Sequence, residues 1–537
     1  MILAILLAAA LSVGWLGVLP VVLSAQTAPG PDDVQLNVVE RTLPNGMRIL
    51  MVERHDSPTV GTFLLFKVGG VDDPEGRTGI AHVLEHMMFK GTRTYGTADY
   101  NAEVPMMSKI DRIYAELAEE LRKQSTPLET ADEAKIERLR KEMAETTQEQ
   151  RKHIITDEFW QTAQRIGGVG LNASTGADST QYFVQLPSNQ LEVWAYLESD
   201  RLANPVFREF YAERDVVHEE RRMRTDTRPE NLLWESFQAA AFLAHPYRNP
   251  VIGWPSDIDR LRREEVLQYF KTYYAPNNAI AAIVGDIDPD KTYALMEKYF
   301  GPIPAQPIPP RSIPDEPAPR GERRVTMEAD AQPRVYIGWH TPAIGDPDGY
   351  ALDVLAQVWT GSGRGSRTGR LYKSLVLDRK LALNVGAGNN TSLYANLFIV
   401  TATPAEGKTV EELEKAIYEE MAKIETEPPT DEELTRIRNG VDASMIRSLR
   451  SNSGIARMIA SVEHLAGSWR YLLTEREQMK AVTAEDVQKA ARKYFTPVNR
   501  TVAELRPKSG DDAAEEEGGP GPAAERWPAA QHWEESR

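Results

Sequence analysis

The segment REEVLQYFKTYYAPNN, residues 263–278, returns 221 positions later as AEDVQKAARKYFTPVN, residues 484–499. Val266, Tyr273 and Pro276 recur there as Val487, Tyr494 and Pro497. A second pair carries the same message: FLLFKVGGVDDPEGRTGIAHVLEHM, starting at Phe63, is echoed by YIGWHTPAIGDPDGYALDVLAQVW, starting at Tyr336. Repetition of whole strand–turn–helix patterns means one supersecondary design used twice, so the chain is a tandem duplication. The expected fold class is α+β, with strands and helices in each of two homologous halves.

Working outward, VVERTLPNGMRILMVE from Val38 places the turn formers Pro44, Asn45 and Gly46 between two aliphatic runs, a strand–turn–strand signal. TVGTFLLFKVGG follows as another strand, DDPEGRTG as a polar turn, and an apolar helix comes next. Eight prolines fall within residues 301–321, GPIPAQPIPPRSIPDEPAPRG, which prevents helix and favours an extended spacer. The boundaries expected are therefore 36–300 for the first domain, 301–322 for the linker and 323–507 for the second domain. The acidic, Gly/Pro/Ala-rich stretch 508–537 is expected to be disordered.

Residues 105–155 interrupt the first domain. Ile110, Ile113, Leu117 and Leu121 share one helical face, Ser125-Thr126-Pro127 breaks it, and Ile136, Leu139 and Met143 form a second stripe amid dense charge. The pattern predicts an antiparallel helical hairpin, read as a solvated insertion packed on itself, with a docking arm as the alternative.

Composition limits the chemistry. A formal charge of −17 argues against nucleic acid as the main partner, because phosphate binding wants a basic surface. The absence of cysteine excludes thiolate metal sites and cysteine nucleophiles, which leaves any metal to His and carboxylate ligands. Residues 1–25 carry no charge and end in small residues, the pattern of an export signal or an uncleaved membrane anchor. The remainder is then expected in the periplasm or cell envelope, with residues 1–25 as a possible tether.

One stretch inside the apolar helix demands chemistry. In AHVLEHMMFKG, residues 81–91, His82 and His86 stand at i and i+4 and project from one helical side, with Glu85 beside them. This H-x-x-E-H order is the inverse of the commoner H-E-x-x-H zinc-peptidase pattern. Two satisfied buried histidines are the alternative. A catalytic zinc needs a third protein ligand, and ERDVVHEERRM, residues 213–223, offers Glu213, Glu219 and Glu220 without choosing among them.

Taken together, GIAHVLEHMMFKGT, LNASTGADSTQYFVQLP, ERDVVHEE, HPYRNPVIG and YYAPNNAIAAIVGD, in that order, resemble the pitrilysin/insulinase superfamily of zinc peptidases. The likeness runs from about Val38 to Pro507 and is greatest to the processing-peptidase branch; it implies two homologous α/β sandwich domains, each a sheet with helices packed on one face, facing each other like a clam shell. It implies Zn2+ held by His82, His86 and Glu220. It also implies Glu85 as the base that takes a proton from the attacking water, Glu213 as a supporting glutamate that binds no zinc, and Glu219 as a surface charge. Asn172 and Ala173 match the centre of an edge strand that pairs with an extended peptide in that family, where backbone bonding gives affinity with little sequence selectivity.

Two departures from the family pattern stand out. His86 and Glu220 lie 134 residues apart, a separation lengthened by the hairpin. The family's second domain also supplies an Arg and a Tyr, seven apart, that bind substrate; here Val376 and Leu383 occupy those places, and Arg379 is out of register. In the second domain His82, Glu85 and His86 become Leu355, Val358 and Trp359. The expectation is a zinc metalloendopeptidase acting on extended or unfolded peptides, paired with a homologous Arg/Tyr-bearing subunit in a heterodimer, or a homodimer. A non-catalytic scaffold or chaperone-like subunit is the alternative, and a metal-storage protein would want more than one cluster among nine histidines.

Overall fold

Two sheets on one plan organise the computed structural model, which describes residues 36–508 apart from 125, 127 and 362–366. The apolar segment 1–25 and the acidic stretch from 509 onward lie outside the described residues. The first sheet contains β1 (Val39–Thr42), β2 (Arg48–Glu53), β3 (Thr59–Phe66), β4 (Val169–Thr175), β5 (Thr180–Pro187) and β6 (Ala279–Gly285), in the order β1-β2-β6-β3-β5-β4. The second contains β7 (Arg323–Ala329), β8 (Arg334–Thr341), β9 (Ala382–Asn389), β10 (Asn396–Pro404) and β11 (Arg500–Pro507), in the order β7-β11-β8-β10-β9. In each sheet one strand pair is parallel, β2–β6 and β7–β11, and the others are antiparallel.

The duplication reaches individual hydrogen bonds. The Asn278 amide donates to the carbonyls of Tyr273 at 2.9 Å and Lys67 at 3.5 Å. The Asn499 amide donates to those of Tyr494 at 2.9 Å and His340 at 3.0 Å, the corresponding residues of the second half. Each Asn thus ties the end of its helix to the neighbouring strand, and the buried polar groups there are satisfied in the same way twice.

Each sheet has its own helices on one face. The other face is covered by a helix from the opposite half. β3 is buried along almost its whole length, so both of its faces need an apolar cover. Leu50, Val52, Phe63, Leu65, Ile280 and Val284 meet Ile455, Ala456 and Ile459 of the helix Asn452–Ala466. Reciprocally, Leu233 and Phe237 of the helix Pro229–Ala241 pack on Tyr336, Leu397, Ile399 and Leu505 of the second sheet. The approach is close enough that a Cβ on Gly61 of β3 would stand 2.6 Å from the Ser453 backbone nitrogen. Because Phe237 is completely buried in this exchange, Phe237→Ala is expected to cost about 3–5 kcal/mol of stability in chemical denaturation.

The hairpin forms from α2 (Tyr100–Gln124) and α3 (Glu133–Arg151), which pack side by side. The Asp99 carboxylate accepts the Ala102 N–H at the start of α2, so the helix begins several residues before the expected insertion boundary. Ile110, Ile113, Tyr114, Leu117, Ile136, Leu139 and Met143 all join the core of the first half. The insertion is therefore built into that core, and the reading of a solvated insertion packed on itself is corrected. The proline-rich linker has no regular structure, yet it is pinned: Arg311 donates to both Asp72 oxygens at 2.8 Å, and Glu316 accepts the N–H groups of Leu243, Ala244 and His245.

Candidate metal centre

The short helix α1, here Ile80–Met87, carries the two histidines, and its position follows from its surroundings. Asp73 accepts the N–H groups of Gly79 and Ala81, capping the N-terminus. Val83, Leu84 and Met87 then bury against the first core. That leaves His82, Glu85 and His86 on the side facing the helix Phe210–Arg221 and the edge strand β4.

Glu220 arrives from that second helix. Its Oε2 lies 3.3 Å from His86 Nε2 and 3.7 Å from His82 Nε2. Among the described residues this trio is the cluster of His and carboxylate groups able to hold a metal ion, with donor atoms all within 4.8 Å of one another. A tetrahedral zinc with bonds of about 2.0–2.1 Å separates neighbouring donors by roughly 3.4 Å, so these two separations fit that ion. The electrostatics also fit. Burial and the neighbouring His86 hold the His82 imidazole down at about 4, leaving it neutral as a ligand must be. Burial would lower His86 as well, but Glu213 and Glu220 outweigh it and raise that imidazole to about 9, so a metal there must displace a proton, and the same two carboxylates favour either positive charge.

Supporting contacts complete the arrangement. Glu213 Oε1 lies 3.0 Å from His86 Nδ1, which turns Nε2 toward the cluster. Burial pushes Glu213 up, but hydrogen bonding to His86 and the charge of Lys90 bring it down to about 2. Lys90 Nζ holds the other Glu213 oxygen at 2.5 Å. Glu85 is buried, and Thr175 of β4 donates to its Oε2 at 2.6 Å. Burial raises the Glu85 carboxyl above its ordinary value, with the Thr175 bond and His86 acting the other way. Arg224 donates to Glu220 Oε1 at 2.6 Å from the π-helical turn that continues the helix. Glu219 pairs with Arg222 on the outer side of the same helix and takes no part in the cluster.

Asn172 and Ala173 lie on β4, the edge strand of the first sheet, where the Asn172 side chain accepts the Ala173 N–H at 2.9 Å. In the second half Leu355, Val358 and Trp359 are buried in the helix Pro347–Thr360 and offer no donor. Val376 packs on the second core, Leu383 is half exposed at the start of β9, and Arg379 pairs with Glu419 at 3.1 Å. Lys90, Thr175 and Arg224 were not among the residues singled out from the sequence. Lys90 and Thr175 do lie inside the two stretches quoted there, four residues after His86 and two after Ala173.

Comparison with known proteins gives consistent results. The model described as "Insulinase (Peptidase family M16)" matches residues 48–115, and "Peptidase M16 inactive domain" matches residues 260–441. The zinc protease PqqE of Helicobacter pylori is 27% identical over 476 residues, covering 87% of this chain and 92% of that protein. The crystal structure of a protease from Helicobacter pylori superposes with a TM-score of 0.73 and 26% identity, over 88% of this chain and all of the other. The periplasmic protease PqqL from Escherichia coli shares the fold, with a TM-score of 0.64 and 16% identity over 92% of this chain and 51% of PqqL.

Proposed function

We propose that this chain, which belongs to the pitrilysin/insulinase (M16) superfamily of peptidases, is a zinc-dependent endopeptidase for extended or unfolded peptides. The observation that carries the reading is the convergence of two imidazole nitrogens and one carboxylate oxygen beside a further buried carboxylate, Glu85. Zinc bound by His82, His86 and Glu220 would supply Lewis acidity at neutral pH, activating water and polarising the scissile carbonyl.

The chain's own residues do the rest. Glu85 takes a proton from the attacking water as the new C–O bond forms, and delivers it to the leaving amine nitrogen as the C–N bond breaks. Thr175 fixes the Glu85 carboxylate from the edge strand. Glu213 orients His86 without serving as a ligand. Beside them the open edge of β4, at Asn172 and Ala173, pairs with an extended peptide through backbone bonds. The apolar segment 1–25 supports export to the periplasm or cell envelope. No helix among the described residues is long and apolar enough to cross a membrane.

A second reading, a non-catalytic subunit that keeps the peptidase fold, is favoured by one observation: Val376 and Leu383 provide no polar group for substrate. The two readings part in a hydrolysis assay of the zinc-loaded chain on an unfolded peptide, alone and mixed with a homologous subunit bearing Arg and Tyr at those positions. Cleavage is expected with the partner and not without it. Equal cleavage by the chain alone would overturn the split site, and no cleavage in either case would favour the scaffold.

A further inference from the structure

The helix that brings Glu213 and Glu220 to the cluster is held from behind by the inserted hairpin. Arg208, two residues before that helix, is 1% exposed, and Glu103 of α2 is fully buried. Their side chains meet at 3.0 Å. The same guanidinium donates to the carbonyls of Lys90 and Thr92, the latter at 2.7 Å. A buried arginine that satisfies its donors on a carboxylate and on two carbonyls of one loop fixes all three segments together. The fit is tight: at Gly91, whose φ is +86°, an added Cβ would lie 2.8 Å from Arg208 Nη1. From that loop Lys90 reaches Glu213, and Glu213 reaches His86.

A second contact between the same two elements is independent of the first. The rings of Tyr114 on α2 and Tyr211 on the ligand-bearing helix stack at 4.1 Å, and Arg214 of that helix lies 4.9 Å from the Tyr114 ring centre and bonds its hydroxyl. At the base of the hairpin, the same end as Glu103, Arg151 of α3 meets Glu209 at 2.9 Å, directly before the helix begins.

We propose that the hairpin is a buttress for the metal site, with Glu103 and Arg208 as positioning residues that set where Glu213 and Glu220 stand relative to α1. The inference rests on the zinc reading above. An insertion that merely tolerated its place would have no reason to bury an ion pair on the path to Glu213, since such a pair forfeits hydration and is weak evidence for stability on its own.

The test uses the full chain and zinc itself, with affinity measured by chelator competition well below the melting temperature of the metal-free protein. Glu103→Gln is expected to weaken zinc binding about tenfold, the lower end of the loss seen when residues supporting metal ligands are changed. The absorption spectrum of the cobalt(II)-substituted protein is expected to shift with it. Leu139→Ala on α3 serves as the control for a purely structural role: it is expected to lower the melting temperature and leave zinc affinity unchanged. Should Glu103→Gln fail to fold, Tyr114→Leu, which leaves the buried ion pair intact, carries the same readouts. Unchanged affinity in these hairpin variants, or a loss no larger than that of Leu139→Ala, overturns the buttress. If His82→Gln abolishes zinc binding while Glu103→Gln does not alter it, the buttress fails and the metal site stands. A wild-type chain that takes up no zinc overturns both.

Discussion

A chain carrying Glu85→Gln is expected to bind zinc as tightly as the wild type and to cleave an unfolded peptide about 10³-fold more slowly, within the range attributed to a positioned general base. The substitution keeps the size of the side chain and its ability to accept the Thr175 hydroxyl, whose oxygen stands 2.6 Å from the carboxylate. It removes the one property the reaction needs at that position, a group that can take a proton. Glu85 is not among the three converging donors, so metal affinity and cleavage should separate cleanly in this variant. The measurement is single-turnover hydrolysis at saturating zinc, in the presence of the Arg/Tyr-bearing partner. A variant that retains the wild-type single-turnover rate would remove Glu85 from the chemistry, and one that loses zinc would make it a ligand.

The second large effect concerns the third ligand. Glu220→Gln is expected to weaken zinc binding by more than ~100-fold, beyond the loss produced by changing a supporting residue, and to take peptidase activity with it. Its Oε2 is the negative charge that faces both imidazoles, at 3.3 and 3.7 Å, and an amide there leaves the site with two neutral donors. Glu219→Gln is the matched control. Its carboxylate is bound to Arg222 on the outer side of the helix, so the same substitution one position earlier should leave zinc affinity and cleavage unchanged. Reversal of the two results would move the ligand to Glu219 and require the helix to turn by one residue.

These contrasts mark what a sequence can and cannot carry. The two similar halves were legible because Val266, Tyr273 and Pro276 recur at a fixed spacing, and a repeated pattern of apolar positions needs no tertiary knowledge to be seen. The hairpin was legible for the same local reason. The exchange of the helices Pro229–Ala241 and Asn452–Ala466 was not: periodicity says which face of a helix is apolar, never which sheet will cover it. At the site, the i and i+4 placement of His82 and His86 is a local fact, whereas Glu213, Glu219 and Glu220 form a group from which only the family resemblance, through the seven-residue spacing from Glu213, picks Glu220. What separates them is rotation about the helix Phe210–Arg221 and its docking against α1. Lys90, Thr175 and Arg224 act across a fold, not along a chain, since the Thr175–Glu85 bond joins residues 90 positions apart. The burial of Glu103 against Arg208 is a further case, because an isolated Glu in a charged helix reads as a solvated one.

One catalytic zinc held by His82, His86 and Glu220 is what the proposed function requires. Its most direct test is anomalous diffraction at the zinc edge from crystals of the chain grown with stoichiometric zinc. The result expected is a single strong peak bounded by His82 Nε2, His86 Nε2 and Glu220 Oε2, with Glu213 and Glu219 outside bonding distance. A peak at any other cluster, or none at that position with zinc in the crystal, would contradict it.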